Sequence, residues 1–125
     1  MSPLALAECD SDFSVDRVSR GVHRIILRSN AHITEDECVR ASAELLKLTG
    51  GKPGSVLLQI TGVGSVSRAA ISLCSGGTPL TAFAILGRTA VDRVIAHSLI
   101  RLAPPECPVT YFTDEEEAVI WLRMW

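Results

Sequence analysis

Polar and apolar residues first alternate, imperfectly, at Phe13, Val15 and Val18, and the β-branched run VHRIIL follows after Arg20-Gly21. Two short strands, Phe13–Ser19 and Val22–Arg28, around a glycine-containing turn predict a β-hairpin. The period then lengthens. Cys38, Ala41, Leu45 and Leu48 recur at spacings of three and four, which marks one face of an amphipathic helix. Thr34-Glu-Asp-Glu37 has the form of a capping box at its start, and GGKPG (50–54) ends it with a left-handed glycine cap and a proline.

Two nearly unbroken apolar runs, SVLLQI (55–60) and LTAFAIL (80–86), read as strands buried on both faces. Between them lies a loop with two glycines and two serines, followed by SRAAISLC, which predicts a short helix ending at Gly76-Gly77. Thr89-Ala-Val-Asp92 offers a further N-cap. Val91, Val94, Ile95, Leu99 and Leu102 are expected to cover the sheet, with Ile100 on the side of Arg93, His97 and Arg101. PVTYF (108–112) is a third buried-type strand. Thr113-Asp-Glu-Glu116 reads as another capping box, behind which Ala118, Trp121, Leu122 and Trp125 share a face.

The resulting order, β-β-α-β-α-β-α-β-α, predicts a single-domain α/β fold. Its sheet is mixed and mostly parallel, with an antiparallel edge hairpin and right-handed crossovers. Residues 1–11 read as a flexible leader and 12–125 as the domain, a size at which a normal core is feasible.

Charge and cysteine usage narrow the function classes. With 12 basic and 14 acidic side chains the formal charge is −2, which argues against non-specific nucleic-acid binding. No apolar run approaches the roughly 18 residues of a membrane span, and MSPLALAE lacks the cationic start of a signal peptide. The expected location is the cytoplasm. Cys9, Cys38, Cys74 and Cys107 form no C-x-x-C pair and read as thiols in a reducing compartment. His23, His32 and His97 are scattered over strand, loop and helix, so no metal is expected, and no cofactor.

The order of elements, the tail ECPVTYFTDEEEAVIWLR and the preceding AILGRTAVDRVIAHSLIRL together resemble the STAS-like domains of bacterial anti-sigma-factor antagonists. Within that group the chain is most similar to the SpoIIAA-like, STAS/SEC14-type branch, from about Phe13 onward. In those antagonists the loop after the central strand looks like Asp-Leu-Ser-Gly-Val-x-x-Ile-Asp-Ser-Ser-Gly, and a serine late in it accepts phosphate from a partner kinase. Gln59, Ile60, Thr61, Gly62 and Val63 lie over its first half, and Val66 falls on the isoleucine. Ser67 falls on the second aspartate, Arg68 and Ala69 on the two serines, and Ala70 on the last glycine. The resemblance therefore implies a module without the usual phosphoacceptor that still docks a protein partner. Its SEC14-like side implies an alternative, a carrier for a small apolar or anionic ligand.

The loop residues allow other chemistries to be weighed. Gly62-Val-Gly64-Ser-Val-Ser67 is a truncated dinucleotide loop, without the third glycine and without an acidic residue for a ribose. A hydrolase elbow would need G-x-S-x-G, and Asp92 and His97, five apart on one helix, do not share a face well. The chain is thus expected not to be an enzyme. The carboxyl-terminal edge of a parallel sheet would gather Thr61, Gly62, Gly64, Ser65, Ser67 and Arg68 with Arg88 and Thr89, and Phe112-Thr113 beside them. Two helix N-termini with Arg68 and Arg88 there are suited to a phosphate or carboxylate. His97, Ile100, Arg101, Trp121 and Trp125 form the expected interface, with a homodimer as the expected assembly.

Overall fold

The computed structural model describes residues 13–67, 80–102 and 107–125. Its elements are β1 (Phe13–Ser19), β2 (Val22–Leu27), β3 (His32–Ile33), α1 (Glu35–Thr49), β4 (Gly54–Gln59) and β5 (Ser65–Val66), then β6 (Leu80–Leu86), α2 (Ala90–Leu102), β7 (Val109–Phe112) and α3 (Glu115–Leu122). A five-stranded sheet runs β1-β2-β4-β6-β7, antiparallel between β1 and β2 and parallel beyond. This is the expected α/β architecture with its edge hairpin. The helix expected over SRAAISLC, the leader 1–11, Cys9, Cys74 and Arg68 lie outside the described residues.

Strand pleating divides the core into two layers. Ile25, Val56, Leu58, Phe83 and Ile85 meet Leu45 of α1 and Ala96 and Leu99 of α2. On the opposite face Val22, Leu57, Ala82, Ala84 and Leu86 meet Ala118 and Leu122 of α3. The small Ala82 and Ala84 let α3 lie close to the sheet. Each fully buried large aliphatic or aromatic side chain here stabilises the fold by about 1.5–3 kcal/mol, and Phe83, Leu57 and Ile85 are all of that kind.

The caps explain where the helices begin. Thr34 N–H donates to Glu37 Oε1 at 3.0 Å, completing the expected box, and Gly50 closes α1 at φ 66°. In α3 the N-cap is Asp114 rather than Thr113: its carboxylate accepts Glu116 N–H at 2.8 Å, so the helix starts one residue later. A carboxylate serves the cap as well as a hydroxyl and adds its charge to the positive end of the dipole.

The face of α2 also departs from expectation. Asp92, Ala96 and Leu99 are buried, whereas Val91 and Val94 are 62% and 66% exposed and Leu102 points outward with them. Ile100, expected outside, packs against the core. Apolar periodicity alone cannot see the polar anchor that turns this helix, which is Asp92.

Candidate functional site

The loop after β4 is joined backbone to backbone to the loop after β2. Asn30 N–H donates to Gly62 O at 2.7 Å, and Gly64 and Ser65 N–H both donate to Ala31 O, at 2.7 and 3.2 Å. Val63 N–H turns back onto Ile60 O, and Ser67 N–H reaches Ile33 O. The short parallel pair β3–β5 is the continuation of these contacts. A Cβ on Gly62, at φ 73°, would stand 2.5 Å from Ser29 Oγ, and one on Gly64 would meet the His32 ring at 2.8 Å and Ala31 O at 3.0 Å. The two glycines therefore serve close approach of two chain segments. A phosphate cradle needs free N–H groups, and here those of Val63, Gly64 and Ser65 are already engaged.

Asp92, 1% exposed, ties this loop to the next one. Its Oδ1 accepts Gly62 N–H at 3.2 Å, and its Oδ2 accepts Arg88 N–H at 2.9 Å and Thr89 N–H at 3.1 Å. Asp92 N–H in turn donates to Thr89 Oγ1 at 3.0 Å, so Thr89 and Asp92 form a capping box. Burial by itself would raise the carboxyl. The N–H groups of Arg88, Thr89 and Gly62 and the Thr89 hydroxyl outweigh it and hold the carboxyl below its ordinary range. Because three N–H groups must converge on one carboxylate, the rotation of α2 about its axis is fixed. Val91 and Val94 turn outward as a result.

The predicted edge residues separate into two groups. Thr61 and Arg88 line a cavity of about 140 Å³ with Gln59, Leu86, Thr113 and Glu115. Glu115 there receives Arg24 Nη1 at 3.2 Å, while Arg24 also pairs with Asp16 at 2.8 Å. A cavity holding both Arg88 and Glu115 is of mixed sign. Ser65 lies on the other side, its Oγ 2.9 Å from His32 Nδ1. Sequence spacing could not reveal this contact, since 33 residues separate the pair. With both neighbouring N–H groups taken by Ala31 O, the contact has no oxyanion donors beside it. Cys38 is buried, and burial first, then Glu37 and Glu35, push its thiol up to about 11, far from nucleophilic use. Among the described residues no three His, Cys, Asp or Glu side chains cluster as metal ligands.

The expected interface residues do not form one patch. His97, Ile100 and Arg101 belong to α2, over one face of the sheet, whereas Trp121 and Trp125 belong to the α3 side, over the other. His97 faces Tyr111 with ring centroids 6.1 Å apart, and Trp121 sits between Phe112 and Trp125. What the structure does show on α2 is a groove of about 490 Å³ running beside β5. Val91, Val94, Ile95, Leu99 and Leu102 line it, and Ser65 and Arg101 lie along it.

A family model described as a domain of unknown function, DUF7793, matches residues 17–125. No curated protein matches the chain. Among solved structures, an uncharacterised protein of the DUF3478 family with a SpoIIAA-like fold, from Shewanella loihica PV-4, aligns over 88% of this chain and 91% of its own. That alignment has a TM-score of 0.61 at 17% identity. A protein of unknown function from Arthrobacter sp. FB24 aligns over 90% of this chain and 100% of its own at 27% identity, with a TM-score of 0.36. The fold is SpoIIAA-like, as the sequence resemblance implied. No helix among the described residues is long and apolar enough to cross a membrane.

Proposed function

The chain belongs to the DUF7793 family, and we propose that it works as a non-enzymatic interaction module whose outward face of α2 binds a second copy of itself. The observation that carries this reading is the exposure of Val91, Val94 and Leu102 on one continuous helix face beside the apolar groove. An amphipathic helix normally buries such a stripe. Here Asp92 turns it outward while Ala96 and Leu99 occupy the core, so the exposure follows from a built hydrogen-bond network. Apolar surface of this kind, next to a charged residue such as Arg101, is what protein interfaces use. The loop chemistry supports the non-enzymatic part: the described backbone donors of the loop, from Gly62 to Ser65 and at Ser67, are engaged within the protein. Phosphoswitching at the usual loop position is absent on this reading, because Arg68 and Ala69 stand where the acceptor serines would be.

Sedimentation of the purified chain over a range of concentrations tests this. A reversible dimer is expected, and Val94→Asp should leave a folded monomer. A wild type that stays monomeric throughout would refute self-association on this face.

The groove itself favours a second reading, a carrier for an apolar molecule with an anionic head. Among the described residues its mostly aliphatic lining includes one cation, Arg101. Native mass spectrometry separates the two, since a stoichiometric small molecule in place of a protein dimer would favour the carrier.

A further inference from the structure

The amino-terminal edge of the sheet, opposite the loops after β2, β4 and β6, carries a second arrangement. The β1–β2 turn, the carboxyl end of α1 and the carboxyl end of α3 all lie there, because each described helix runs back toward the edge at which its next strand begins or the chain returns to β4. With them come Arg17, Arg20, Lys47, Lys52 and Arg123. The acidic first turns, Glu35–Glu37 in α1 and Glu115–Glu117 in α3, lie at the other edge. Lys47 is accounted for by the dipole of α1 and its pairing with Glu44 at 3.7 Å, and Arg17 by its contact with Leu48 O at 3.5 Å. Arg20, in a turn, has no such role.

Arg20 and Arg123 line one cavity of about 300 Å³, together with Ser19, Thr81 and Trp125, the last of which is 58% exposed. No acidic side chain among the described residues lines it. Its walls are fixed: Ser55 N–H donates to Gly21 O at 2.9 Å, and the buried Ser55 hydroxyl lies 3.3 Å from both Gly21 O and Leu122 O. The turn bearing Arg20 and the helix end bearing Arg123 are thereby held to β4.

We infer that this cavity binds a phosphate ester, gripped by the Arg20 and Arg123 guanidinium groups, with the rest of the ligand against Trp125. Guanidinium matches phosphate geometry in paired, charge-assisted hydrogen bonds, and an indole face takes an aromatic or apolar neighbour. The volume is at the lower end for ligand sites, so the ligand is a small phosphorylated molecule or a phospholipid headgroup. The inference is independent of the α2 reading, because it concerns the opposite edge of the sheet.

Tryptophan fluorescence of the full chain, titrated with inorganic phosphate and with adenosine monophosphate, tests it. Co-sedimentation with phosphatidylcholine vesicles, with and without phosphatidylglycerol, is run alongside. Saturable binding that weakens with added salt is expected. Arg20→Gln with Arg123→Gln should reduce affinity by roughly tenfold or more, whereas Arg88→Gln, at the other edge, should change nothing. A response to the soluble anions assigns a metabolite, and a response only to the anionic vesicles assigns a lipid headgroup. No response to any probe overturns the site, as does a double variant that binds like wild type or an Arg88→Gln that loses as much.

Discussion

The two edges of the sheet differ in how completely their polar groups are satisfied. At the carboxyl-terminal edge three loops satisfy one another: Ala31 O takes Gly64 and Ser65 N–H, and Asp92 takes Gly62, Arg88 and Thr89 N–H. At the amino-terminal edge Arg20 and Arg123 make no ion pair with a described residue, and His23, 4% exposed, has neither ring nitrogen hydrogen-bonded. Open α/β sheets usually bind ligands at the first of these edges, in the loops after the strands. Among the described residues the backbone donors of those loops are engaged within the protein, whereas the buried nitrogens without a partner, those of His23, lie at the other edge. A site is better located by asking which polar groups lack partners than by topology alone.

The strongest way to break the contrast is to remove Asp92. Asp92→Ala leaves three N–H groups without their acceptor in a buried junction, and should cost about 3 kcal/mol or more in urea denaturation, with faster amide exchange at Gly62 and Arg88. The pH dependence has a fixed sign. A carboxyl held below its ordinary range contributes stability above that range, and the contribution is lost as pH falls through the folded value. Asp92→Asn should therefore be less stable at neutral pH and lack this acid limb. If Asp92→Ala denatures like wild type, the loops are held by something other than this carboxylate.

Next in size is Gly62→Ala. The left-handed backbone costs a side chain about 1–2 kcal/mol, and the new Cβ must also displace Ser29 Oγ, 2.5 Å away. The total expected is about 2 kcal/mol, and Ser29→Gly in the same chain should recover the steric part only. A neutral Gly62→Ala would mean that the two loops are not held in close approach.

These residues also show why the sequence disclosed the fold more readily than the site. Apolar runs such as Val56–Leu58 and Ala82–Leu86 are local, and burial on both faces follows from them directly. Capping boxes are equally local, which is why Thr34 with Glu37 was legible. Asp92 was legible only as a cap. Its bond to Gly62 spans 30 residues, and with it the outward turn of Val91 and Val94. The two glycines invited a ligand-loop reading because close approach to a phosphate and close approach to Ala31 select the same residue. Splitting Ile100 from Trp121 and Trp125 likewise required knowing that α2 and α3 cover opposite faces, which apolar periodicity does not contain.

The smallest effect concerns the unsatisfied edge, where His23 sharpens the comparison. Its imidazole is buried against Gly54, 3.5 Å from the position of a Cβ there, and stands across the strand pair from Arg17. Burial first, and then the Arg17 charge, lower its basicity, and the Ser55 backbone, near the ring but outside hydrogen-bond geometry, offsets only part. The unfolded chain, with an ordinary imidazole, therefore takes up a proton before the folded chain does. Stability from the neutral ring is complete above about pH 6.5 and falls by up to about 1.4 kcal/mol per pH unit until the lowered folded value is reached. His23→Leu removes this dependence and the two unpaired nitrogens together. It should match or exceed wild type by about 1 kcal/mol near pH 7, with the gap widening as pH falls below about 6.5, since every other titrating group is common to both chains. Parallel stability curves for the two chains would show that His23 finds a partner in solution. The amino-terminal edge would then be as well satisfied as the other.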